Sequence, residues 1–261
     1  MAMMINPQAK AQFGADLDRI VVDRQGEHPA AFMTTVGVSG MVDGLGTYVI
    51  GSQGIQSVEA QTIEPQAVVP RQPPQVVFQG RWLSAAEGAE SGNNILGQNG
   101  RLEVDALRLE IPEAKATPEH LAYYGAKLVA FGEPFQFETA EPMPTTTMAI
   151  GSHYVDGFIT DQEKGGGVYL EHHNLPHFHM PLNDDASGHL ILGKRSESGL
   201  FEVSAFPIPY GFGIYTGPEV LHDDAFLVGD YEVVYGLAPE FSTVTLYQSQ
   251  SSTYLPVSVC Q

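Results

Sequence analysis

Short apolar runs, separated by Gly, Pro and polar residues, dominate the hydrophobic pattern of this chain. Such a pattern is typical of many short strands joined by turns. Four runs in the first half predict strands, at residues 30–36, 47–50, 55–63 and 75–79. Residues 101–111 nearly alternate apolar and charged side chains, which predicts a strand with one buried face. The small, Gly-rich segment 85–100 predicts an exposed loop.

Helix signals occur at two places. Asn6 followed by Pro predicts the start of a short helix that ends near Gly14. A second helix starts at Thr117, where a capping hydroxyl precedes Pro, Glu and apolar residues at helical spacing. We expect this helix to stop before Gly132.

The second half of the chain predicts strands almost throughout. They are expected at residues 153–159, 168–173, 177–180, 189–192, 200–206, 212–215, 224–227, 231–235 and 243–248. Without helices between the strands, a doubly wound fold is excluded and the fold class is all-β. We predict a β-rich region in 1–132, a Pro- and Thr-rich connector in 133–147 and a barrel in 148–261. A weak similarity between residues 75–81 and 189–194 suggests that 1–132 is a second, degenerate barrel.

Histidines are concentrated in one part of the sequence. Seven of the nine lie between residues 153 and 222, and six of these lie between 172 and 222. His177 and His179 are two residues apart, so on a strand both side chains leave by one face. With His222 arriving from a distant strand, three imidazoles can hold one metal ion. The alternative for His177 and His179 is a hydrogen-bonded pair in a polar pocket without metal.

These residues resemble the two motifs of the cupin superfamily over roughly residues 150–240. Matches to the first motif are Gly167, His177, His179 and Gly193. Matches to the second are Gly211 and His222, with Gly217 and Pro218 one residue out of register. The resemblance implies a double-stranded β-helix, a jelly-roll barrel with the metal bound inside and few short helices.

The same resemblance implies that His177, His179 and His222 are ligands, and it leaves the fourth ligand open. The glutamate that cupins carry is expected near residues 183–186, where Asp184 and Asp185 stand instead. Glu171, on the strand before the histidine pair, is another candidate. Glu171 and His173 are also the candidates for a catalytic base.

Three functions follow from these expectations. The first is a three-histidine Fe(II) dioxygenase that acts on a small oxygen-rich molecule. The second is a sugar isomerase or lyase that uses Mn, Zn or Ni, if a carboxylate completes the site. The third is a cupin that binds a small ligand without catalysis.

The net charge of −19, from 12 basic and 31 acidic residues, argues against binding to nucleic acid or to an anionic membrane. Cys260 is the single cysteine, so no intramolecular disulfide can form, which fits a reducing compartment. No signal peptide is recognised, and no apolar stretch reaches the ~20 residues that span a bilayer. We therefore expect a cytoplasmic protein, and the cupin resemblance implies a homodimer.

Overall fold

The computed structural model describes residues 3–60, 62–63, 67–88, 99–161, 163–164, 166–238, 240–251 and 253–261. Helices in this part of the chain are α1 (Pro7–Phe13), α2 (Leu17–Ile20), α3 (Ala85–Gly88) and α4 (Pro118–Tyr124), with 3-10 turns at Gly14–Asp16 and Pro29–Ala31 and a π-helix at Val155–Ile159. The first ten strands are β1 (Met4–Ile5), β2 (Asp23–Arg24), β3 (Met33–Val42), β4 (Thr47–Gly51), β5 (Gly54–Val58), β6 (Val76–Leu83), β7 (Gly100–Val104), β8 (Leu109–Pro112), β9 (Ala126–Ala130) and β10 (Met143–Ile150). The second ten are β11 (Tyr169–His173), β12 (His177–Pro181), β13 (Ser187–Gly188), β14 (Leu190–Arg195), β15 (Leu200–Phe206), β16 (Phe212–Thr216), β17 (Leu221–Asp223), β18 (Leu227–Val234), β19 (Phe241–Gln248) and β20 (Val257–Cys260).

Two large sheets organise these strands, and the fold is an all-β, jelly-roll type of barrel with few short helices. One sheet closes into a seven-stranded barrel in the order β11-β17-β14-β15-β6-β7-β19. The other has nine strands, with the main path β1-β3-β10-β18-β12-β16-β9. Closure leaves no unpaired edge in the first sheet. The pairs β4-β5 and β20-β8 form two further small sheets.

Each barrel strand has one face in a shared apolar cluster. Its members include Phe78, Leu102, Leu170, Ile191, Val203, Leu221 and Val244, one from each of the seven strands. Side chains alternate along a strand, so the neighbours of these residues lie on the opposite face. That opposite face of β14 contributes Leu190 and Leu192 to a second cluster, together with Ile214 and Val233 of the nine-stranded sheet. An apolar layer therefore lies between the barrel wall and the larger sheet.

Most strands predicted for the second half are confirmed, but the first predicted segment, 153–159, is wrong in type. It forms the π-helix Val155–Ile159, in which Phe158 and Ile159 are buried. Thr160 Oγ1 donates to the carbonyl of Asp156 at 2.8 Å and helps to close this turn. The apolar residues of this segment reach the core from a helix, so their periodicity did not identify the element.

Several predicted boundaries in the first half differ from the structure, and three of them have a clear physical reason or change the element. Residues 101–111 form two strands, because β7 pairs with β6 and β19 whereas β8 pairs with β20. The second helix ends at Tyr124, because Gly125 adopts φ 86 and its N–H closes the last turn. The strand predicted at 55–63 ends at Val58. Residues 89–98 of the predicted loop lie outside the described residues.

Strands from both sides of the predicted connector share hydrogen bonds in both sheets. In the barrel, β6 pairs with β15 and β7 pairs with β19. In the nine-stranded sheet, β9 pairs with β16, and β10, which begins at Met143, pairs with β3 and β18. The division into regions 1–132 and 148–261 stays a prediction. In the described part of the chain, none of the helices has both the length and the apolar character needed to cross a bilayer.

A buried carboxylate joins the β4-β5 hairpin to the nine-stranded sheet. Glu232 of β18 accepts hydrogen bonds from Ser39 Oγ at 2.9 Å and from the Ile55 N–H at 2.8 Å. Gly54 has φ 90, and a Cβ there would lie 2.3 Å from Glu232 Oε2, so only glycine fits this contact. The hairpin is therefore held at its turn by a single acidic side chain.

Replacement of Glu232 by Gln is expected to remove a pH dependence of stability. Burial raises the pKa of Glu232 above the ordinary 4.5, so the folded state binds its proton more tightly than the unfolded state. The stabilisation that this bound proton gives the folded state is fully present below pH 4.5, and it is lost as pH rises through the folded pKa of Glu232. Thermal unfolding measured from pH 4 upwards should show a flatter profile for Glu232→Gln. The exposed Glu59→Gln is the control, and an equal flattening there would contradict the assignment.

Candidate metal centre

Two potential ligands stand on one face of β11. Glu171 and His173 are two residues apart, so both point away from the barrel interior that Leu170 helps to fill. Thr243 of the neighbouring β19 donates its hydroxyl to Glu171 Oε2 at 3.0 Å. The carboxylate is thereby fixed with Oε1 free to face the centre of the group.

A third ligand comes from the adjacent barrel strand. His222 lies on β17 directly opposite Glu171 in the β11-β17 pairing. Its Nε2 is 3.4 Å from Glu171 Oε1, and its Nδ1 donates to the carbonyl of Val220 at 2.9 Å. That carbonyl fixes Nδ1 as a protonated nitrogen and turns Nε2 towards Glu171.

The fourth ligand belongs to the other sheet. Residues 174–176 carry the chain from β11 in the barrel to β12 in the nine-stranded sheet, and His177 is the first residue of β12. Its Nδ1 lies 3.0 Å from His222 Nε2. The connection also orients His173, whose Nδ1 donates to the carbonyl of Leu175 at 2.6 Å. The group therefore bridges the layer between the two sheets.

One ligand atom from each of Glu171, His173, His177 and His222 lies within 4.8 Å of the others. The four side chains are buried, with exposed fractions of 7%, 4%, 6% and 1% in that order. His173 Nε2 is buried without a hydrogen-bond partner, an arrangement that costs free energy unless a ligand satisfies the atom. Three imidazole nitrogens and one carboxylate oxygen are a common donor set for a divalent ion, and the group can hold a metal.

Burial and charges within the group favour the metal-binding protonation state of Glu171, His173 and His177, but not of His222. Burial, followed by the charge of His222, lowers the pKa of His173 to about 4, and burial also holds the pKa of His177 well below 6.5. Burial raises the pKa of Glu171, but the hydrogen bond and charge of His222 outweigh it and the pKa falls. Burial lowers the pKa of His222, and Glu171 reverses this effect and raises it. His173 and His177 are thus neutral at pH 7, and the two opposite shifts favour a proton on His222 that faces the Glu171 carboxylate.

A second tier of polar side chains lies two residues further along the same three strands. Tyr169 lies on the Glu171 face of β11, His179 lies on the His177 face of β12, and Asp224 follows β17. Asp224 accepts a hydrogen bond from the Tyr169 hydroxyl, and its Oδ2 is 3.4 Å from His179 Nε2. Burial opposes ionisation of Asp224, but His179 and Tyr169 lower its pKa to about 2. Asp224 is therefore a carboxylate with both oxygens engaged.

The structure brings together two of the three histidines predicted as ligands. His177 and His222 are in the group, and His179 shares their layer but contacts Asp224. Asp184 is exposed in the turn after β12, outside the group. Glu171, which the sequence offered both as a fourth ligand and as a base, and His173, offered only as a base, complete the group. Their two-residue spacing is the same signal that drew attention to His177 and His179.

The group lies outside the barrel interior, between the barrel wall and the nine-stranded sheet, whereas the cupin resemblance placed the metal inside one barrel. His222 is paired with Leu192, a member of the inter-sheet cluster, and not with the residues that fill the barrel. A closed β-barrel and a buried group of three histidines and one glutamate are compatible with a cupin. Searches of protein-family models, curated proteins and solved structures find no match to this chain.

Proposed function

We propose that this chain is a metal-dependent enzyme of the cupin type that acts on a small oxygen-rich molecule. One observation carries the proposal, namely the buried convergence of Glu171, His173, His177 and His222. A buried ionisable group of this kind is costly for folding alone, and strongly perturbed pKa values are concentrated at functional sites. The Nε2 atom of His173 has no hydrogen-bond partner, so its lone pair is available to a bound metal ion.

The donor set narrows the choice of metal. Imidazole nitrogens suit Fe, Zn and Ni better than Mg or Ca, which prefer oxygen, the carboxylate of Glu171 also suits Mn, and cysteine is absent from the group. We favour Fe(II), which Glu171, His173, His177 and His222 would hold and which would add O₂ chemistry to the site. When bound, such an ion supplies a Lewis acid and a site for O₂ reduction.

The surroundings fit a reaction that needs water to be excluded. Leu192, Ile214 and Val233 belong to the apolar layer that contains the group, and all three are buried. Apolar surroundings of this kind strengthen electrostatic interactions at the site and admit an apolar gas such as O₂. Glu171 balances part of the cation charge, and Thr243 keeps its carboxylate oriented.

A second candidate is a sugar isomerase or lyase that uses Mn, Zn or Ni. The observation that favours it is Glu171, because a carboxylate ligand is the feature expected of that class at the outset. In such an enzyme the bound ion would polarise a substrate carbonyl without a change of oxidation state.

Elemental analysis of protein purified without a histidine tag tests the proposal. We expect close to one divalent ion per chain, and iron together with O₂ consumption on addition of catechol or another vicinal diol supports the dioxygenase. Zn, Mn or Ni without O₂ consumption, but with interconversion of aldose and ketose sugars, supports the second candidate. Absence of metal, with thermal stability unchanged by EDTA, would overturn both and leave a non-catalytic ligand-binding protein.

A further inference from the structure

Arg24 is a half-buried arginine whose charge has no acidic partner among the described residues. Its Nη1 donates to the Tyr154 hydroxyl at 3.0 Å, and its guanidinium lies 5.5 Å from the ring centre of Tyr169. Its Nε is fully buried and has no hydrogen-bond partner. The edge of the guanidinium that carries Nε is therefore unused, although the other edge is anchored.

Such an arginine is unusual in this chain. Acidic residues outnumber basic ones by 31 to 12, and other arginines, such as Arg81 and Arg108, pair with glutamates at about 3 Å. The nearby Asp224 does not neutralise Arg24 by contact, because its oxygens engage Tyr169 and His179. A half-buried charge without a contacting acid, and with its Nε buried and unpaired, is costly, which indicates that an anion completes the environment of Arg24.

Arg24 lies next to the second polar tier of the candidate metal centre. Tyr169, which the guanidinium covers, is two residues from Glu171 on the same face of β11. A two-residue step along a strand is roughly 7 Å. The position of Tyr169 on β11 is therefore separated from that of Glu171 by about the length of a substituted benzoic acid.

We propose that Arg24 binds the carboxylate of a small organic acid whose opposite end carries the oxygens that reach the metal centre. A planar carboxylate fits the free Nε edge of a guanidinium with two parallel hydrogen bonds. A single guanidinium matches the one negative charge of a carboxylate. The part of this inference that concerns the metal end rests on the proposed function; the carboxylate contact does not.

Binding of benzoate to the metal-free protein tests the carboxylate contact. The protein is stripped with EDTA, dialysed free of it, and titrated by calorimetry with benzoate and, separately, with neutral benzamide. We expect benzoate to bind and benzamide not to bind. Arg24→Gln should weaken benzoate binding about 10- to 100-fold, because a charge-assisted bidentate contact is lost. Arg24→Lys should give an intermediate loss, because it keeps the charge and loses the planar edge.

Two further variants keep the test decisive. Arg81→Gln, which removes an arginine of the surface pair with Glu103, should leave benzoate binding unchanged. Tyr154→Phe removes the anchor of Arg24 without changing its charge and should weaken binding several-fold, even if Arg24→Gln fails to fold. Equal benzoate affinity in wild type and Arg24→Gln, or equal affinity for benzamide, would overturn the proposal. If the protein binds metal but not benzoate, only the proposed role of Arg24 is refuted. If the protein binds benzoate but not metal, only the proposed metal centre is refuted.

Discussion

Replacement of His173 by Ala is expected to abolish metal binding, whereas replacement of His179 by Ala is expected to leave most of it. His173 contributes the unpartnered Nε2 of the group, and no other described imidazole can take its place on β11. His179 is held by Asp224 in the second tier. Loss of a direct ligand should exceed the 10- to 100-fold cost that is usual for an outer partner, so we expect more than about 100-fold for His173→Ala and at most about 10-fold for His179→Ala.

Metal content per chain and the dissociation constant of Zn²⁺ or Co²⁺ measure this contrast. Co²⁺ is informative because its visible absorption changes with the number and geometry of its ligands. His172→Ala is the matched control, because His172 is on the same strand, on the opposite face, and pairs with Glu219 at 2.9 Å. If His179→Ala abolished binding and His173→Ala did not, the ion would be held by the His177–His179 pair that the sequence favoured.

The sequence identifies two candidate ligand pairs, Glu171 with His173 and His177 with His179, but it does not show which pair converges with His222. The spacing of Glu171 and His173 predicts a common face as clearly as the spacing of His177 and His179 does. Which pair converges with His222 depends on the pairing of β11 with β17, which places Glu171 opposite His222 across 51 residues of sequence. Such a non-local register is not encoded in any local pattern, so the sequence could nominate the histidine-rich segment without selecting all its ligands.

The same limit applies to the fold. Alternation and turn residues located most strands and the all-β class, because those signals are local. They could not show that residues 101–111 divide between two sheets, because that depends on the partners β6, β19 and β20. Arg24 lies on a two-residue strand with no local signal of function, and only the packing of Tyr154 and Tyr169 around it makes it a candidate.

Addition of metal to the stripped protein is expected to raise its melting temperature by about 5–10 °C. An ion at 100 times its dissociation constant adds about 2.7 kcal/mol to the free energy of unfolding. For a chain of 261 residues, each kcal/mol shifts the midpoint by roughly 2–4 °C. Differential scanning calorimetry with and without Zn²⁺ measures the shift, and His222→Ala should lose it because His222 contacts both Glu171 and His177.

The size of this shift is expected to grow with pH through the raised pKa of His222. Below that pKa the metal must displace the proton that lies between His222 and Glu171. Each unit by which the pH falls therefore lowers the apparent affinity for the metal about tenfold, or by about 1.4 kcal/mol. His173 and His177 add no such competition near pH 7, because their lowered pKa values leave them unprotonated in the metal-free fold. Without metal, the shared proton stabilises the fold below pH 6.5, and this contribution is lost as pH rises through the folded pKa of His222.

Calorimetric titration of the metal-free protein with metal, in buffers of different ionisation enthalpy, measures this competition. It should detect the release of up to one proton per ion below the pKa of His222 and none well above it. Release of two or more protons at pH 7 would show that His173 or His177 is also protonated in the metal-free protein, contrary to the electrostatics of the buried group.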